Sequence, residues 1–154
     1  MSIPDPGTPN AEQPAEVRVP VVFRLPAKKP IATYVLLGFT LLVFVLQMVF
    51  RSFLTNGYDW PFLIGGKINE FILRGELWRL ITPVFLHANL THILFNMYAL
   101  YTIGSSLERM YGHKRFLALY FVSAYAGNAL SFLLSDAASL GASTAVFGLV
   151  VAEA

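Results

Sequence analysis

The chain contains no cysteine, which removes disulfides, thiolate nucleophiles and cysteine-held metals from consideration. Charge is scarce too: Asp, Glu, Lys and Arg make up 13% of 154 residues, and a net charge of +2 is spread too thinly to form a nucleic-acid surface. No His-Glu-x-x-His pattern occurs, so no zinc pair is encoded on one helix face. The N-terminus lacks a basic start that runs directly into an apolar core, and so is not a signal peptide. No cofactor is implied by any motif.

Apolar residues fill the space these absences leave. They make up 56% of the chain, aromatics alone 14%, and the mean hydropathy is +0.60. That balance is wrong for a soluble domain and points to lipid as the solvent. Residues 1–30 are a different material, holding seven of the nine prolines among Ser, Glu, Gln and Asn. Such a segment buries too little apolar surface to offset its ordering entropy, and we expect a disordered cytoplasmic tail. Its Val17–Leu25 patch, with Arg18 and Arg24, reads as linker.

The first span is Ile31–Phe50, about 20 residues without a charge, with Thr33, Thr40 and Gln47 as its polar members. Lys28 and Lys29 precede it, which places the N-terminus in the cytoplasm. The connection from Arg51 to Leu86 is too long for a turn. It mixes Trp60, Phe62, Phe71, Trp78 and Phe85 with charges, as suits the headgroup region. Ile68, Phe71 and Ile72 have the spacing of an amphipathic helix. We expect a structured interfacial loop.

A second span runs from Leu90 to Leu107, with Asn89 or Thr91 as N-cap, and carries His92 and Asn96. It ends in the basic turn Glu108–Arg115, which belongs in the cytoplasm and agrees with the orientation of the first span. The third span, Phe116–Leu134, carries Ala124, Ala126, Gly127, Ala129 and Ser131, small residues that permit close helix packing, with Asn128 as its strong polar group. A fourth starts near Ser143 and stops at Ala154, too short to cross a bilayer, with Glu153 at membrane depth. We expect the polypeptide to be incomplete, about four helices of a larger bundle.

Ser143 stands between small residues where a polar loop gives way to an apolar helix, in the order Gly141-Ala142-Ser143-Thr144. A hydroxyl there lies beside unpaired N–H groups and the positive dipole end, which favour developing negative charge. Spans two and four both start from the outer side, so His92, Asn96 and Ser143 share a depth. His92 and Asn96 lie about 40° apart around a helix and share a face. His87 and His92, roughly 140° apart on the same assumption, do not. Each residue alone has a plain structural role: a serine caps helices, and a histidine or asparagine bonds a neighbouring helix. Together, serine, imidazole and amide suit a nucleophile, a base and an oxyanion donor for acyl transfer.

Trp78-Arg79, His92-Ile-Leu-Phe-Asn96, Glu108-x-x-x-Gly112 and Gly141-Ala-Ser143, in this order, resemble the rhomboid intramembrane serine proteases over roughly residues 31–154. The resemblance implies an all-α bundle of six transmembrane helices with a lateral loop between the first two. It implies cleavage of transmembrane substrates near the membrane surface. Ser143 then matches the nucleophile, and His92 with Asn96 the side chains that help bind the oxyanion, which leaves His92 no longer the base. Trp78-Arg79 matches a structural motif. The family's base is a histidine on a sixth helix, so residues 1–154 alone are expected to be inactive. The family most often has glycine where this chain has Thr144. An alternative is a proteolytically inactive rhomboid-like protein that binds transmembrane clients; a third is a structural membrane protein whose polar groups only stabilise packing. Residence in a bacterial cytoplasmic membrane is the expected location.

Overall fold

A computed structural model describes residues 29–54 and 58–153. The tail expected over residues 1–30 lies outside the described residues except for its last two. Apart from one isolated backbone bridge, the regular structure among the described residues is helical. Helix α1 (Ile31–Val49) runs on through a wider π-helical turn, Phe50–Leu54. The interfacial connection holds α2 (Trp60–Gly65), α3 (Asn69–Leu73) and two 3-10 turns, Leu77–Leu80 and Thr82–Phe85. Helix α4 (Leu90–Ala99) continues through a π-helical segment, Leu100–Gly104, into α5 (Ser105–Tyr111). Helices α6 (His113–Leu134) and α7 (Ser143–Glu153) complete the order.

Helix α1 buries Ala32, Thr33, Leu36, Thr40, Phe44 and Gln47, one stripe at helical spacing, and leaves Val35, Phe39, Leu42 and Val45 exposed. All three polar residues of the span thus face inward, where Thr33 and Gln47 find hydrogen-bond partners that lipid does not offer. The core gathers Leu36 of α1, Val84, Leu100, Leu107, Phe116 and Tyr120 of α6, and Ala145 and Leu149 of α7.

Two polar devices close the ends. Helix α1 begins after Pro30 with no cap of its own. The Glu108 carboxylate supplies one from α5, accepting the N–H of Ala32 at 2.8 Å and the N–H and hydroxyl of Thr33 at 2.7 and 2.6 Å. His113 pairs with the same carboxylate. An anion at a helix N-terminus satisfies orphan donors and meets the positive dipole end. This turn was expected as a merely basic loop; its acid is a buried cap. Gly112, at φ +79°, makes the reversal between α5 and α6.

Helices α6 and α7 pack antiparallel with a glycine at each crossing point. A Cβ placed on Gly127 would lie 2.7 Å from the Thr144 Cβ, and one on Gly148 would lie 2.2 Å from the Ser123 hydroxyl. Only hydrogen at these positions lets the backbones approach that closely.

Candidate active site

Two segments converge on the start of α7. Before α4, Asn89 caps the helix by accepting the His92 N–H at 2.8 Å, which settles the choice between Asn89 and Thr91. His92 is half-buried one turn in, and Asn96 is buried one turn deeper. The Asn96 amide donates to the His92 carbonyl at 3.0 Å, so its known bond stays within α4.

Before α7, Gly141 adopts φ +123°, a conformation that favours glycine, and donates its N–H to the Pro83 carbonyl at 2.8 Å. A Cβ there would lie 2.6 Å from His92 Cε1, 2.7 Å from His92 Nε2 and 3.7 Å from the Ser143 Oγ. The imidazole edge therefore occupies the space a side chain would need, with the serine hydroxyl alongside. His92 and Ser143, distant in sequence, flank one glycine. Ser143 is the first residue of α7, so its N–H has no intrahelical acceptor. The Ala142 carbonyl receives the Val146 N–H at 2.9 Å and starts the helix.

His87 corrects the angular argument. It precedes α4 rather than lying on it, so helical spacing does not apply. Its ring meets His92 edge to face, with centroids 5.0 Å apart. Fully buried, it presents Nε2 to the Ala142 N–H at 3.5 Å. An unprotonated Nε2 places the proton of the neutral ring on Nδ1, a buried atom without a hydrogen-bond partner. Burial, and then the neighbouring His92, press its pKa down to about 4, so it is neutral at pH 7. Among the described residues no group of three or more His, Cys, Asp or Glu side chains is placed to hold a metal.

The interfacial loop grips the serine loop from the other side. Lys67 and Ser139 exchange backbone hydrogen bonds, both 3.0 Å. The fully buried Lys67 ammonium donates to the carbonyls of Ser135 at 2.6 Å and Ala137 at 3.0 Å. Burial lowers the Lys67 pKa and Asp136 opposes the fall. Asn69 adds bonds to the carbonyls of Phe132 and Ser135 and to Asp136 Oδ1. Neither residue carried a sequence signal beyond being polar in an apolar context, since their acceptors, mostly backbone carbonyls, lie 60 or more positions away.

Trp78 and Arg79 hold α2. Trp78 Nε1 donates to the Ile64 carbonyl at 3.1 Å, and Arg79 to those of Leu63 at 2.7 Å and Gly66 at 2.8 Å. Arg79 also pairs with Glu76 and lies over the Phe71 ring. Thr144 faces α6 through its contact with Gly127, and its hydroxyl is buried there. Asn128 donates to the Leu80 carbonyl at 3.2 Å, away from the serine.

Residues 74–154 match the Rhomboid domain. The chain belongs to the rhomboid family. It is 40% identical over 120 residues to the Rhomboid protease GluP of Bacillus subtilis (strain 168), a match covering 78% of this chain and 23% of that relative. Rhomboid-like protease 3 of Toxoplasma gondii is 49% identical over 89 residues, 57% of this chain and 34% of the relative. RHOMBOID-like protein 9, chloroplastic, of Arabidopsis thaliana is 40% identical over 90 residues, 58% of this chain and 21% of the relative. The chain thus spans between about a fifth and a third of the length of these curated relatives. Family membership and two helices long and apolar enough to cross a bilayer, 31–52 and 113–134, make this rhomboid chain part of a membrane protein. The grip of Trp78-Arg79 on α2 and the Glu108 cap give two of its rhomboid-like motifs structural work.

Proposed function

We propose that the full-length protein is an intramembrane serine endopeptidase with Ser143 as nucleophile. The observation that carries this is the crowding of the His92 ring and the Ser143 hydroxyl around the bare Cα of Gly141. A transmembrane substrate presents an extended peptide bond, and Ser143 Oγ attacks its carbonyl carbon. The Ser143 N–H, His92 and Asn96 stabilise the oxyanion; Asn96 keeps one amide hydrogen for this while the other bonds the His92 carbonyl. A base supplied from outside residues 1–154 takes the hydroxyl proton and returns it to the leaving amine, after which water hydrolyses the acyl-enzyme. No cofactor or metal enters this scheme.

The protein crosses the membrane several times with its N-terminus cytoplasmic. Lys29, at the start of α1, and the basic residues His113, Lys114 and Arg115 lie at one end of the bundle, because Glu108 caps α1 there. An intact Ser143 together with both His92 and Asn96 favours the protease over an inactive client-binding role, and the Thr144 side chain packs on Gly127 of α6. Full-length protein in proteoliposomes, given a fluorogenic transmembrane substrate, is expected to lose cleavage with Ser143→Ala; retained cleavage would overturn the assignment.

A further inference from the structure

A chain of hydrogen bonds joins the interfacial loop to the residue before Ser143 through the lipid-embedded α1. Asp59 caps α2, its Oδ1 accepting the Phe62 N–H at 3.0 Å. Its Oδ2 accepts from Gln47 Nε2 at 3.0 Å. Gln47 is fully buried, and its Oε1 accepts the His87 N–H at 3.0 Å. The His87 ring then meets the Ala142 N–H and packs on His92. The Gln47 side-chain amide serves both ends, its NH2 donating to the carboxylate and its oxygen accepting the N–H.

A buried amide must find partners in any fold. What sets Gln47 apart is where its path ends. Gly141 N–H is held by Pro83, Ala142 N–H by His87, and Ala142 C=O by Val146. Three backbone groups of Gly141 and Ala142 are thus engaged just before the Ser143 N–H, which as the first N–H of α7 has no intrahelical acceptor. We propose that Asp59, Gln47 and His87 form a positioning relay that aims the Ser143 N–H and hydroxyl, with Gln47 at its centre; this rests on Ser143 being the nucleophile. The interfacial loop thereby acts on the serine along two independent paths, this relay from α2 and the Lys67 contact from the segment before α3.

The test is Ser143-dependent labelling of the folded full-length protein by a fluorophosphonate, timed well below the melting temperature. Gln47→Glu sets two carboxylates face to face. Asp59→Asn sets two amide donors face to face and keeps an oxygen for the Phe62 N–H. Each is expected to slow labelling by about tenfold or more, since small displacements of reacting groups cost up to ~100-fold. Combining Gln47→Glu with Asp59→Asn exchanges donor for acceptor across the pair, keeps an oxygen for the His87 N–H, and is expected to restore the rate to within about threefold. A purely structural role would lower the melting temperature of the singles while leaving the labelling rate of folded protein unchanged, and that result overturns the relay. So does a double variant as slow as the singles. Should either single fail to fold, the other together with the double carries the comparison. Labelling that survives Ser143→Ala would instead remove the nucleophile, and the relay with it.

Discussion

Gly141 has no side chain, and that absence lets the His92 ring stand beside Ser143. With φ at +123° and the imidazole 2.6 Å from where a Cβ would be, alanine there is both strained and overlapped. Gly141→Ala should displace His92 or the loop and cut fluorophosphonate labelling of the full-length protein by at least ~10-fold. His87 makes a separate prediction for stability. Its pKa is about 4 in the fold, below the ordinary 6.5, in a buried position outside the spanning helices and facing His92. Above about pH 6.5 neither the folded nor the unfolded state carries the proton. As pH falls the unfolded chain takes it up and the folded one does not, so stability drops between roughly 6.5 and 4 and levels off below. The loss attributable to this group is about 3 kcal/mol. Melting temperatures across that range should show it, and His87→Gln should flatten the slope.

At the level of elements, reciprocal glycines decide how near α6 and α7 come. A methyl on Gly127 would overlap Thr144, and one on Gly148 would overlap Ser123. Gly127→Ala or Gly148→Ala should each destabilise by about 1–3 kcal/mol, measured by denaturant titration in micelles. The Glu108 cap is the other joint between elements. Glu108→Ala would leave the N–H groups of Ala32 and Thr33 buried without acceptors, and His113 without its partner, for about 3 kcal/mol. Hydrogen exchange at those two amides should rise accordingly. Thr144 shows how a neighbouring helix makes room for a branched side chain: its Cβ lies 2.7 Å from where a Cβ on Gly127 would be.

Across the whole molecule, the interfacial loop is a brace. Lys67 and Asn69 hold the segment 135–139, and Trp78-Arg79 hold α2 in place. Lys67→Met keeps the apolar stem and removes the donors. Charge-assisted bonds of this kind are worth about 1.5–3 kcal/mol. Limited proteolysis should therefore find new cleavage within 135–141, and exchange at the Ser139 amide should accelerate by about tenfold or more.

The amino-acid order by itself determined the parts that depend on local periodicity and solvent. The apolar run from Ile31, a capped helix start near Leu90, the apolar run Phe116–Leu134 and the start of α7 near Ser143 all follow from neighbours a few residues apart. The choice of Asn89 over Thr91 and the earlier start of α6 at His113 came with the fold. Family membership was legible too, because its motifs are short and lie in fixed order. Only the tertiary structure decided what those residues meet. Gln47 was one polar residue in an apolar span until the fold placed Asp59 on one side of it and His87 on the other. Glu108 belonged to a charged turn until α1 arrived 76 positions away. His87 was dismissed on a helical angle and became the neighbour of both His92 and Ala142 once the chain ran extended before α4. The reason is common to all three. A polar group out of water must find its partner wherever the packed helices present one, and the identity of that partner is a property of the packing rather than of any stretch of sequence.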